Sequence, residues 1–203
     1  MIDPFLRGNP TAPVSPEDVD ADYIIVTHLH GDHIGDAIEI AKRTGAKIVA
    51  IFEIANLAKQ KGVDAIGGNI GGYMRLEDVD IALTNAIHSG WGHGIYAQPT
   101  GAIIRMDGKV VYHAGDTGLF YDMKLIGDLF KPDVALLPIG GWFTMDIYQA
   151  AEAVKLIRPK IAIPMHYNTF DLIQADPEEF KKLVETQTDT RVVILSPGEH
   201  VEL

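Results

Sequence analysis

The chain has 203 residues, 47% hydrophobic and 22% charged, with 17 Lys and Arg against 28 Asp and Glu for a formal net charge of −11. That length suits one domain, residues 1–203, with a sizeable core, and the acidic balance argues against nucleic acid or an anionic membrane as partner. With no cysteine, disulfides and thiolate ligands are excluded, any metal must be held by His and carboxylate groups, and a cytoplasmic location is expected. No signal peptide, internal repeat or apolar run of bilayer length is read from the chain.

Ile2 can end a strand, and Asp3-Pro4 is a turn signal before a loop through Arg7-Gly8-Asn9-Pro10. Ser15-Pro16-Glu17-Asp18 places an N-cap residue, a first-turn proline and two acids in series, predicting a short helix. Residues 21–26 read as a buried strand. Ile34, Ala37, Ile38 and Ala41 then recur at helical spacing over 32–43, closed by Gly45. A strand at 47–52 and a helix at 53–61 follow, so a parallel sheet covered by helices is expected. Next, 67–72 is a glycine-rich turn, and strands are predicted at 73–76, 79–87, 101–106 and 109–113, the last two joined by the hairpin signal Asp107-Gly108. Alternation returns with a helix at 122–130, strand 134–138, helix 146–157, strand 160–164, helix 177–186 and strand 191–195. Two sets of strands with covering helices predict an α/β chain folded as an αββα sandwich.

Chemistry concentrates in Thr27-His28-Leu29-His30-Gly31-Asp32-His33, directly after the strand-like run Tyr23-Ile24-Ile25-Val26. Imidazole nitrogen suits zinc, iron, copper and nickel, and a carboxylate adds charge and can bridge two ions. His88, Asp116, Gly140-Gly141 and His166 each follow another apolar strand-like run. Strand ends are where open α/β architectures gather ligands, because strands fix positions while loops face a common crevice. Each of these residues alone is an ordinary structural residue; four in this order point to a site.

The series His28-x-His30-x-Asp32-His33, then His88, Asp116 and His166, resembles the metallo-β-lactamase superfamily. More narrowly, Tyr112-His113-Ala114-Gly115-Asp116-Thr117-Gly118, Leu136-Leu137-Pro138-Ile139-Gly140-Gly141 and Ile163-Pro164-Met165-His166-Tyr167 resemble the UPF0173 metal-dependent hydrolases, similar in turn to the ascorbate-6-phosphate lactonase branch. The resemblance implies a four-layer αββα sandwich and two divalent metals. His28, His30 and His88 would hold one and Asp32, His33 and His166 the other, with Asp116 bridging. Zinc is the default for such a set, and manganese, iron or nickel fit the same ligands. Two such ions would acidify a shared water and polarise a carbonyl or phosphoryl oxygen, with Asp32 and Asp116 as catalytic carboxylates and Asp32 orienting the nucleophile. The expected activity is hydrolysis of a small ester-like, lactone or phosphoester substrate. The alternatives are a nucleotide or RNA phosphodiesterase, which would need a basic groove, and a non-catalytic metal-binding protein.

Relatives of this kind begin with a hairpin ahead of the counterpart of Ile2-Asp3-Pro4-Phe5. The sequence at hand is expected to lack it, exposing a sheet edge across which a homo-oligomer would form. Trp142 stands where many relatives carry a polar residue, and is expected either to shape the pocket or to pack. His113 is a candidate partner of the ligands, and His93 belongs to a mobile glycine-rich loop. Residues 167–170 could meet substrate or stabilise the fold, and His200 is expected at the surface. Gly92-x-Gly94 with Ala97 imitates a dinucleotide fingerprint but lacks the strand-to-helix frame.

Overall fold

Three apolar runs pair in parallel to start the fold: β1 (Tyr23–Val26), β2 (Lys47–Ile51) and β3 (Ala65–Gly68), side by side in that order. The computed structural model describes residues 1–203. A second sheet has seven strands, β4 (Met74–Arg75), β5 (Asp80–Asn85), β8 (Thr100–Met106), β9 (Lys109–His113), β10 (Val134–Pro138), β11 (Ile161–Met165) and β12 (Arg191–Val192). β4, β5, β8 and β9 run antiparallel to their neighbours, and β9 to β12 pair in parallel, so the sheet is mixed. A two-stranded ribbon, β6 (Trp91–Gly92) with β7 (Ile95–Tyr96), stands between β5 and β8 in the chain.

Side-chain alternation divides the apolar residues among three cores, because successive strand residues face opposite sides. Ile24 and Val26 of β1, with Ile48 and Ala50 of β2, pack under α2 (Ala37–Thr44) and α3 (Phe52–Gln60). Ile25 and Val49 point the other way and meet Val79, Ile81 and Ala102 between the sheets. Ala82, Ile103, Tyr112, Ala135 and Leu137 face α4 (Met123–Phe130), α5 (Ile147–Ile157) and α6 (Pro177–Glu185). Helix, sheet, sheet and helix make the four-layer αββα sandwich. Asp146 and Asp176 cap α5 and α6 by accepting N–H bonds from Gln149 and Glu178.

The helix expected over 32–43 is broken. It becomes α1 (Gly31–Ile34) and α2, separated at Gly35, whose φ is +37°. A Cβ at Gly35 would lie 2.3 Å from the Pro4 carbonyl oxygen, so the amino-terminal loop crosses where only glycine fits. Asp36 holds that loop down, its carboxylate accepting the Leu6 and Arg7 N–H groups at 2.9 Å each. The loop in turn delivers Asp3, Phe5 and Asn9 to the site. Residues 1–3 lie against β1, with Ile25 N–H donating to Met1 O at 2.9 Å and Asp3 N–H to Ile25 O at 3.0 Å, so that edge is partly paired. Within the span expected to be a turn, Gly67 and Gly68 complete β3 opposite Ala50 and Ile51; sheet pairing overrides glycine's weak strand preference. The last strand stops at Val192. No helix is long and apolar enough to cross a membrane.

Candidate metal centre

Strand ends converge on one point between the sheets. β1 runs into His28 and His30, α1 carries Asp32 and His33, the segment after β5 carries His88, the turn after β9 carries Asp116, and β11 runs into His166. These segments are tied to one another. Thr100 N–H donates to Thr27 O at 3.0 Å, Ile87 N–H to Thr117 Oγ1 at 2.9 Å, and Gly118 N–H to Ile87 O at 3.0 Å. Gly115 has φ +64°, and a Cβ there would stand 2.6 Å from Thr100 O, so the turn that presents Asp116 needs glycine. His166 itself adopts a left-handed backbone, φ +55°, a conformation uncommon in residues other than glycine.

The seven expected side chains form two groups. One ligand atom from each of His28, His30 and His88 lies within 4.8 Å of the others, and Asp32, His33 and His166 form a second such group. Asp116 Oδ2 adjoins both, 3.6 Å from His88 Nε2 and 3.3 Å from both His33 Nε2 and His166 Nε2. Asp32 Oδ2 stands 3.6 Å from His166 Nε2 and 3.7 Å from His33 Nε2.

Asp3 and Thr27 stand behind them. His33 donates Nδ1–H to Asp3 Oδ2 at 2.8 Å, which leaves Nε2 facing the cluster. Thr27 Oγ1 donates to the same Asp3 oxygen at 2.5 Å, and Thr27 N–H donates to Oδ1 at 2.8 Å. With its one hydrogen committed, the Thr27 hydroxyl accepts from His28 Nδ1–H at 3.0 Å. His28 Nε2 then carries a lone pair only 3.0 Å from His30 Nδ1. One hydrogen-bonded chain through Asp3 thus sets the tautomers of two prospective ligands, the arrangement that orients metal-binding histidines. Neither Asp3 nor Thr27 is singled out by the sequence reading; Asp3 shows there only as a turn residue.

Electrostatics differ across the cluster. Burial, then the nearby His33, pushes His28 down to about 3, and burial also lowers His88. Burial opposes charge on His33 too, but the Asp116 and Asp3 carboxylates outweigh it and raise it to about 10. The His166 contact brings Asp32 down to about 2, against the effect of its partial burial. Burial would raise Asp116, yet His33 beside it holds the carboxyl well below the usual range. His33 Nε2, Asp116 Oδ1 and His166 Nε2 are buried without a hydrogen-bond partner. Unsatisfied buried polar atoms are rare and costly; converging nitrogen and oxygen atoms, His33 Nε2 once it gives up its proton, are what a cation would satisfy, so the residues fit dications with N/O ligation.

Comparison with known proteins decides the family. The model for the beta-lactamase superfamily domain matches residues 1–167. A UPF0173 metal-dependent hydrolase from Thermofilum pendens is 55% identical over 205 residues, covering 100% of this chain and 88% of that protein. Another, from Staphylothermus marinus, is 59% identical over 202 residues, covering 98% and 86%. The chain belongs to the UPF0173 metal-dependent hydrolases. A solved structure, the metallo hydrolase Igni18 from Ignicoccus hospitalis, superposes with a TM-score of 0.92 at 51% identity, covering 98% of this chain and 88% of that one. The protein is a metal-dependent hydrolase of the metallo-β-lactamase superfamily.

Other residues of this UPF0173 chain fall outside the cluster or beside it. Trp142 does not line the cavity beside Asp32, His33, Asp116 and His166 and is not packed away: it is 76% exposed, φ +57°, with the Phe143 ring 6.4 Å from it edge-on. His93 is exposed in the β6–β7 turn, so its segment is a ribbon rather than a loose loop, and His200 is exposed at the surface. His113 accepts Gly115 N–H on Nδ1 at 3.2 Å and lines the cavity. Asn168 braces Ala175 through two hydrogen bonds, while Thr169 and Phe170 reach the cavity.

Proposed function

We propose that this hydrolase cleaves a small carboxylic ester or lactone with two divalent ions, zinc by default. His28, His30 and His88 would hold one ion, Asp32, His33 and His166 the second, and Asp116 would bridge them. The observation that carries this reading is the Asp116 carboxylate, within 3.6 Å of histidines from both groups. Bound dications at such a site supply acidified water and Lewis-acid polarisation of the scissile oxygen.

Asp32 is the more exposed of the two carboxylates and is ionised at neutral pH. It acts as an acceptor that orients the attacking water and can hold its proton at a carboxylate oxygen. Asp116, nearly buried, holds the two ligand groups at a fixed separation. Asp3 and Thr27 keep His28 and His33 in the tautomers that aim Nε2 inward. An ester or lactone is favoured over a phosphoester because no Lys or Arg lines the adjoining cavity; phosphate recognition ordinarily uses such cations. A nuclease-like reading lacks a basic groove for the same reason.

A panel of chromogenic carboxylic esters, lactones and phosphodiesters, assayed with metal-stripped and reconstituted protein, tests this. Turnover of esters or lactones that returns with metal is expected. Two bound ions with no turnover across the panel would instead support a metal-binding protein.

A further inference from the structure

Beside Asp32, His33, Asp116 and His166 lies a cavity of about 200 Å³. A cavity of roughly 150 Å³ takes a benzene ring, so this one suits a group of ring size. Its walls come from two loops, the amino-terminal one that brings Phe5 and Asn9, and the one after His166 that brings Thr169, Phe170 and Ile173. The Phe5 and Phe170 rings lie 6.3 Å apart with an interplanar angle of 30°. Both rings therefore present aromatic surface to the same cavity. Phe170 is 42% exposed, leaving apolar surface that a ligand in the cavity would cover.

Charge points the same way. Among the 13 lining residues the charged acids are Asp3, Asp32 and Asp116, with no Lys or Arg. The lining thus offers no Lys or Arg side chain that could pair with an anionic group on the ligand. Three polar residues of the wall are neutral. Asn9 and Thr169 carry no charge, and His113 uses Nδ1 as an acceptor for Gly115 N–H, which leaves its ring neutral and its other edge a donor.

We propose that this cavity is the acyl-group subsite, selecting an uncharged apolar or aromatic acyl group, with Phe170 as the residue that sets the preference. The proposal rests on the ester-hydrolase reading above.

The test uses metal-reconstituted protein and 4-nitrophenyl esters that differ only in the acyl group. Phenylacetate should exceed acetate in kcat/KM by tenfold or more, and hydrogen succinate should fall below acetate. Phe170→Ala should lower kcat/KM for phenylacetate at least tenfold more than for acetate, while Phe170→Leu keeps most of the preference. Equal rates for all acyl groups, a preference for succinate, or an equal loss on both esters in Phe170→Ala would overturn the subsite. In parallel, calorimetry with phenylacetamide should detect binding that weakens about tenfold in Phe170→Ala; no binding to the unaltered protein also overturns it. If phenylacetamide binds through Phe170 while no ester is hydrolysed, the subsite stands and the ester reading fails. Turnover without acyl discrimination has the opposite meaning.

Discussion

The two halves of the proposed metal centre are prepared by opposite means. His28, His30 and His88 are three imidazoles, and burial keeps His28 and His88 uncharged near neutral pH. A cation meeting His28 and His88 displaces no proton from them. Asp32, His33 and His166 lie beside carboxylates, and in the metal-free protein His33 stays protonated up to about 10. A cation entering that half must expel a proton. Desolvation prepares one half and charge pairing the other, and Asp116 adjoins both.

Asp116→Ala attacks what the halves share and should have the largest effect. Lewis-acid assistance accounts for several kcal/mol of catalysis, so ester turnover should fall by on the order of 10³. Metal analysis should find both loads weakened. Retention of two tightly held ions would remove the bridging role.

The shared carboxylate was legible because it follows a strand in His113-Ala114-Gly115-Asp116-Thr117-Gly118. The four layers were equally legible, since helical and alternating apolar patterns change along the chain where the sheets change. Asp3 was not, because its role depends on residues 1–3 lying against β1 and on the break at Gly35, both products of long-range packing. The β6–β7 ribbon escaped for another reason: two residues on each side carry no periodicity to read. Phe5 and Phe170 lie far apart in the chain, and only the folded loops bring their rings together.

Asp3→Ala comes next in size. It removes the acceptor of His33 Nδ1–H directly and unsettles His28 through Thr27, so metal affinity should fall about 10–100-fold, the range for loss of such orienting partners. Equilibrium competition with a chelator reads this, and the weakening should be greater for the ion near His33. Equal losses at both ions would erase the distinction between the halves.

Thr27→Val should be milder, on the order of tenfold, and confined to the ion at His28, because His33 keeps its bond to Asp3. The same titration checks it. A loss confined to the His33 side would reverse the assignment of the hydrogen-bonded chain.

The smallest effect is in protons. With its pKa raised, His33 stabilises the metal-free protein fully below about pH 6.5, and that contribution is lost as pH rises through about 10. Loading the Asp32 half at pH 8 should therefore release about one proton, and loading the His28 half almost none. Calorimetry in buffers of different ionisation enthalpy separates the two events; proton release on loading the His28 half and none on the Asp32 half would contradict the difference.

The binuclear reading is tested most directly by anomalous diffraction from crystals saturated with zinc. Two peaks about 3.5–4 Å apart are expected, one against His28, His30 and His88 and the other against Asp32, His33 and His166, with Asp116 between them. A single peak at saturation, or two peaks that leave Asp116 uncoordinated, would contradict it.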